Sequence, residues 1–208
     1  GVDPAAALAA LAAAVLAAGP GVRVVVCAAT FRADRAPEMR ALLGALVREA
    51  AGRGLSILHK PYNPGTVAQL RGTFNDLASA GGPLYRELPA VEKGLSPALL
   101  SECGVVVWDQ PGTGFLEGLA AELPTLCLWP RLYNEEEPRW RAVFGELEAA
   151  GLVHRTPASL CDEIARFESA PEAWTSDPRR RAAAESFSRL FGRVEPDWAV
   201  QWDRFFKE

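Results

Sequence analysis

The feature that most constrains this chain is an alternation of short β-branched runs with longer helical stretches, punctuated by Gly and Pro. Val22–Ala29 (VRVVVCAA) is apolar throughout and follows a Gly/Pro stop, as a strand buried on both faces requires. Met39, Leu42, Leu43, Leu46, Val47 and Ala50 then recur at helical spacing, and Gly52 and Gly54 close that helix. Leu55–His59 reads as a second strand, ending in the turn-rich Pro61-Tyr62-Asn63-Pro64-Gly65. Val67, Leu70, Phe74 and Leu77 share the face of a further helix, stopped by Gly81-Gly82. The middle is irregular until Gly104–Trp108 (GVVVW), the clearest strand, after which a Gly-rich turn opens a helix through Phe115, Leu116, Leu119 and Ala120. Leu126–Trp129, a helix from about 136 to 150, a short Leu152–His154 strand and helices near 157–167 and 179–191 complete the pattern. A last helix carries Trp198, Trp202, Phe205 and Phe206.

Strand–helix alternation of this kind predicts a Rossmann-like α/β fold, a parallel sheet with helices on both faces. No repeat or low-complexity linker interrupts it, so the expectation is a single domain over 1–208, with the helices from about 157 onward packed on it. Hydrophobic residues make up 49% of the 208, too many for a solvated coil. The net charge of -4 supplies no global field for nucleic acid. Of 22 basic residues 19 are Arg, an imbalance in step with 36 Ala and GC-rich coding, so Arg count alone is not phosphate recognition. The four cysteines lie far apart with no C-x-x-C pair, which points to a reducing compartment without disulfides or zinc. The apolar stretch 5–18 is too short to cross a bilayer and lacks a basic flank; it reads as an N-terminal helix. An opening directly on a helix suggests a piece of a longer protein. A cytoplasmic location is expected, with peripheral association at the inner membrane as its variant and no transmembrane segment.

In an open α/β sheet, ligands bind where strands end and helices begin. Four strand ends here carry polar or cationic groups. Trp108–Glu117 (WDQPGTGFLE) places Gly112, Thr113 and Gly114 at a helix start, where free amides and the macrodipole suit a diphosphate. Glu117 lies one turn further, placed to accept hydrogen bonds from ribose hydroxyls. The same spacing also describes an ordinary Gly/Pro turn with a first-turn Glu, and it is not the dinucleotide fingerprint. His59 and Lys60 put two candidate cations at the end of the second strand. Arg32, with Thr30 and Arg35, follows the first strand; Arg131, with Trp129 and Tyr133, follows the Leu126–Trp129 run. There is no P-loop and no nucleophile elbow, and two histidines are too few for a His-rich metal site. Glu135-Glu136-Glu137 reads as a helix N-terminus, and His154 as a structural residue.

Three stretches carry a resemblance. Lys60-Pro61-Tyr62, Pro111–Trp129 (PGTGFLEGLAAELPTLCLW) and Phe144–Pro157 (FGELEAAGLVHRTP) agree in order and spacing with bacterial surface-carbohydrate biosynthesis transferases of lipopolysaccharide or capsule type. From Leu58 to Phe206 the chain resembles their C-terminal part, the donor-binding domain of a GT-B-like glycosyltransferase. The resemblance implies a nucleotide-sugar substrate and no separate cofactor or metal. It places the ribose on Glu117 and the diphosphate at Gly112–Gly114, with Lys60, His59 or Arg131 as countercharge. In such enzymes the catalytic base comes from an N-terminal acceptor domain, for which the 208 residues are expected to leave no room. The chain also replaces the family's polar turn with Pro111, Gly112 and Gly114. The expected function is therefore donor binding, with an enzyme's activity depending on a partner domain or chain. The alternative is a non-catalytic nucleotide, sugar-phosphate or interaction module.

Overall fold

The computed structural model describes residues 23–27, 36–90, 103–132 and 135–192. Six strands are present among them: β1 (Arg23–Cys27), β2 (Ser56–Lys60), β3 (Tyr85–Glu87), β4 (Val105–Trp108), β5 (Thr125–Leu128) and β6 (Val153–His154). They form one sheet in the order β3-β2-β1-β4-β5-β6, with every neighbouring pair parallel. The helices are α1 (Ala36–Gly52), α2 (Pro64–Gly81), α3 (Thr113–Ala120), α4 (Arg141–Ala149), α5 (Pro157–Ser169), α6 (Pro171–Thr175) and α7 (Pro178–Phe191). Helices α1, α2 and α5 pack together on one face, while α3, α4 and α7 pack on the other. This is the Rossmann-like arrangement expected of the alternation. Strand progression reverses between β1 and β4, which makes the C-terminal ends of those two strands the topological switch point.

Burial follows the apolar pattern. Met39, Leu43, Leu46, Val47 and Ala50 of α1 are all buried, as are Val105, Val106 and Val107 of β4 and all four residues of β5. Each Leu or Val removed from water contributes about 1.5–3 kcal/mol, so helix α1 is a main fastening of the face it shares with α2 and α5. Strand β3 and helix α6 fall in stretches whose sequence shows no period. Tyr85 is the buried residue of β3, and edge pairing with β2 rather than a β-branched run makes it a strand. The acidic run 135–137 does not start a helix. Pro138 opens a 3-10 turn (Pro138–Trp140) and α4 begins only at Arg141. The stretch 5–18, Arg32 with its neighbours Thr30 and Arg35, and the aromatics Trp198, Trp202, Phe205 and Phe206 lie outside the described residues.

The C-terminal helices are clasped through one carboxylate. Glu163 of α5 is 1% exposed, and its Oε1 accepts the Trp174 Nε1–H at 2.7 Å and a hydrogen bond from Arg180. Its Oε2 accepts from Arg166 at 2.9 Å. Gly151, at φ +73, brings its backbone so close that a Cβ there would lie 3.1 Å from this carboxyl. His154 is structural here: its Nε2–H donates to the Gly151 carbonyl at 3.0 Å, and burial holds its pKa below the ordinary value.

Candidate functional site

Backbone register lines up the switch point. Lys60 of β2 pairs with Cys27 of β1, which pairs with Trp108 of β4, which pairs with Cys127 of β5. These residues form one row across the C-terminal edge of the sheet. The next residues of β4's exit, Asp109-Gln110-Pro111-Gly112, make the turn into α3, and Asp109 is 4% exposed.

Gly112 is the N-cap of α3, in extended backbone (φ -91, ψ -168), and no side chain caps the helix. Helices α2, α5 and α7 differ: Asn63, Thr156 and Asp177 each accept a backbone N–H of the first turn. Among the described residues no N-cap side chain takes the amides of Thr113, Gly114 and Phe115 at the switch point, where the helix dipole favours an anion. Thr113 and Glu117 are both exposed and one helical turn apart, so they share the open face of α3.

Glycine at 114 is required by packing. A Cβ at this position would fall inside the Trp108 indole, 2.6 Å from its Cζ2, so the glycine admits a side chain of this protein rather than a ligand. Gly118 likewise faces Thr125, whose Oγ1 would lie 2.5 Å from a Cβ. The two glycines let α3 press onto β4 and β5, and Trp108 becomes a partly buried floor beside the helix start. Its Nε1 is buried without a hydrogen-bond partner. By contrast, a Cβ at Gly112 would meet nothing nearer than the Gln110 side chain at 3.7 Å.

The expected cations separate. His59 is 2% exposed and points under α2, edge-on to Phe74 at 5.0 Å, with Nδ1 2.7 Å from the Tyr85 hydroxyl. Burial lowers its pKa from 6.5 to about 4, so it is neutral at pH 7 and supplies no countercharge. Because the unfolded chain binds a proton there that the folded chain refuses, stability is unaffected above pH 6.5 and falls between pH 6.5 and pH 4. The shift is worth about 3 kcal/mol at the acid end. Urea unfolding at pH 7 and pH 4.5 is expected to show a smaller acid loss in His59→Phe than in the parent; equal losses would exclude His59 as the source.

Arg131 is tied down. It sits at φ +60, forks onto Glu136 (Nε to Oε2 2.7 Å) and reaches Glu148 at 3.3 Å. Burial works against ionisation of Glu136, but its own backbone amide and the Arg131 fork outweigh it and hold the carboxyl below its ordinary range. Glu148 also takes Arg155, whose Nη1 donates to the Trp129 carbonyl at 2.6 Å while its guanidinium lies 4.9 Å from the Trp129 ring. The two arginines and two glutamates neutralise one another, so Arg131 closes the β5 exit instead of offering a free charge. Lys60 is different: it is 8% exposed, and its Nζ has one contact among the described residues, 3.4 Å from the Pro61 carbonyl.

Trp108 as the floor and Arg155 as the partner of Glu148 are not legible in the sequence. Trp108 is signalled only by its place at the end of the strand feeding the glycine turn, and Arg155 by nothing local. Cys103, Cys127 and Cys161 are buried free thiols. Burial raises Cys127 well above 9 and Cys161 to about 11, so neither serves as a nucleophile near neutrality. Among the described residues no three His, Cys, Asp or Glu side chains gather around a common point, and no helix is long and apolar enough to cross a membrane.

A family model described as LIC12162 family transferase matches residues 89–206, more than half of the chain. Looser likenesses exist among solved structures. A protein described as a UDP-N-acetylglucosamine 2-epimerase from Listeria monocytogenes overlays with a TM-score of 0.47 at 15% identity, over 93% of this chain and 56% of its own. A mutant O-GlcNAc transferase from Thermobaculum terrenum gives 0.40 at 19% identity, over 83% of this chain and 36% of its own. The chain thus spans about half of the first and about a third of the second. No curated protein matches it.

Proposed function

The chain belongs to the LIC12162 family of transferases, and we propose that it is the donor-binding part of a GT-B-like glycosyltransferase of bacterial surface-polysaccharide assembly. The supporting observation is the uncapped start of α3 at the switch point of a parallel sheet in the order 3-2-1-4-5-6. Three amide donors and the positive end of a helix there suit the diphosphate of a nucleotide sugar. In this reading Gly112 and Thr113 receive the diphosphate, and Glu117 accepts hydrogen bonds from the ribose hydroxyls. Gly114 contributes its amide, its missing side chain being explained by Trp108. The nucleotide sugar is the substrate, and no cofactor takes part.

The reaction is displacement at the anomeric carbon. The acceptor oxygen bonds to that carbon, the bond to the diphosphate oxygen breaks, and the departing charge falls on the amides of α3. Among the described residues His59 does not serve this cleft as a base, since it is buried and burial lowers its pKa to about 4. That observation favours a division of labour in which an acceptor domain or partner chain supplies the base. It equally supports the second reading, a module that binds a nucleotide or sugar phosphate without transfer. A cytoplasmic location belongs to both.

Calorimetric titration with nucleoside diphosphates tests the ribose role. Glu117→Ala is expected to weaken binding roughly 10-fold, the loss of one hydrogen-bonding charged group at about 1.5 kcal/mol. It should leave inorganic pyrophosphate untouched. Equal affinity of parent and variant for the nucleotide removes Glu117 from the site.

A further inference from the structure

Lys60 is a buried side chain whose ammonium meets no carboxylate among the described residues. Its single contact, the carbonyl of the next residue at 3.4 Å, leaves two of three N–H donors unused, and a charge so placed is costly unless something answers it. None of the ion pairs formed among the described residues includes it. Strand alternation fixes its face. His59 points under α2, so Lys60 points to the opposite side, the face on which Trp108 packs against Gly114 of α3. Its row is also fixed: Lys60, Cys27 and Trp108 are register partners at the C-terminal edge.

The ammonium turns to its own strand's exit at Pro61, not across to β4. Strands β2 and β4 are separated by β1, two inter-strand spacings or roughly 10 Å. Two places that favour negative charge therefore flank the switch point. One is the start of α3 over β4, with the unpartnered Trp108 Nε1 beside it; the other is Lys60 over β2.

We propose that Lys60 anchors an oxyanion subsite separate from the α3 seat, so that the ligand of this cleft carries two anionic groups. The first is the diphosphate, and the second is a carboxylate or phosphate on the transferred sugar. The inference rests on the donor-binding reading and deepens it: the donor sugar is acidic. A neutral sugar leaves the Lys60 ammonium buried and unanswered, while an acidic one pairs with it as it displaces water from the β2 exit.

Amide NMR titrations of the full chain separate the two sites. Inorganic phosphate is expected to move the amides of Lys60 and Tyr62 and those of Thr113 and Gly114 along two independent isotherms. Lys60→Met should abolish the first and spare the second. Its melting temperature should not fall, because the change removes a buried charge that has no carboxylate among the described residues. Glucuronic acid 1-phosphate should bind about 10-fold tighter than glucose 1-phosphate, a preference lost in Lys60→Met and kept in Lys60→Arg. Equal affinity for the two sugar phosphates overturns the inference. So does a single shared isotherm, or a Lys60→Met variant that weakens the Thr113 response as much as the Lys60 response, since Lys60 then serves the diphosphate itself. Nucleoside diphosphates that leave Thr113 and Gly114 unmoved sink the donor reading, and the two-anion ligand with it. If they do move those amides while the acidic preference is absent, only the Lys60 assignment fails.

Discussion

Glu163→Ala is expected to lower the unfolding free energy by about 3–5 kcal/mol, the usual consequence of removing one partner from a buried ionic cluster. The residue is 1% exposed, and three donors converge on it: Trp174 Nε1 at 2.7 Å, Arg166 at 2.9 Å and Arg180. Without the carboxylate, the indole N–H and a guanidinium that is 15% exposed lose their acceptor in a place water reaches poorly. The methylene stem lost with them adds a cavity below Gly151. Against a domain stability of about 5–15 kcal/mol, this is a large fraction of the total. Helices α5, α6 and α7 should loosen first, since all three meet at this group. Glu163→Gln keeps an acceptor for Trp174 but gives up the charge facing Arg180, so its loss should fall between parent and Ala. Urea unfolding followed by circular dichroism ranks the three proteins. A Glu163→Ala loss below about 1 kcal/mol would mean that apolar packing alone holds these helices.

The second large effect concerns the start of α3. Gly112→Asp is expected to stabilise the protein slightly while weakening nucleoside diphosphate binding roughly 10- to 100-fold. Residue 112 already has the extended backbone of an N-cap, and a Cβ there meets no atom within 3.6 Å. An Asp side chain can therefore accept the amides of the first turn as Asn63, Thr156 and Asp177 do elsewhere in this chain. A cap and a favourable dipole together are worth a few tenths to about 1 kcal/mol. The same carboxylate occupies the amides that the diphosphate needs and repels it, a loss of about 1.5–3 kcal/mol in binding. Stability and affinity move in opposite directions, which no general damage to the fold reproduces.

Much of the architecture was legible because buried parallel strands and amphipathic helices have different periods. The runs at β1, β2, β4, β5 and β6 and the helical faces of α1 and α2 are visible in single residues such as Val105–Val107 and Leu43–Leu46–Val47. Strand β3 was not, because Tyr85-Arg86-Glu87 becomes a strand only by pairing with Ile57, Leu58 and His59. Strand order was equally hidden. Nothing local says that β4 returns beside β1, yet that return makes the glycine turn the switch point.

The site divides along the same line. The helix start at Gly112–Thr113 and the exposure of Glu117 follow from local spacing. The charge of His59 does not, since burial against Phe74 and Tyr85 decides it. Nor does the engagement of Arg131, which depends on Glu136 and on Glu148 seventeen residues away. Nor does the need for glycine at 114, since the neighbour that excludes a side chain there is an indole from the preceding strand. Lys60 is recognisable as a cation, but its burial, and the lack of an answering charge among the described residues, emerge only from the fold.

The most direct test of the central claim is isothermal titration of the full chain and of Gly112→Asp with a panel of nucleoside diphosphates. At least one diphosphate is expected to bind the parent with a micromolar dissociation constant and to bind Gly112→Asp at least 10-fold more weakly, while Gly112→Asp melts no lower than the parent. Parent and variant binding every diphosphate alike, or no binding below millimolar concentrations, would contradict that claim.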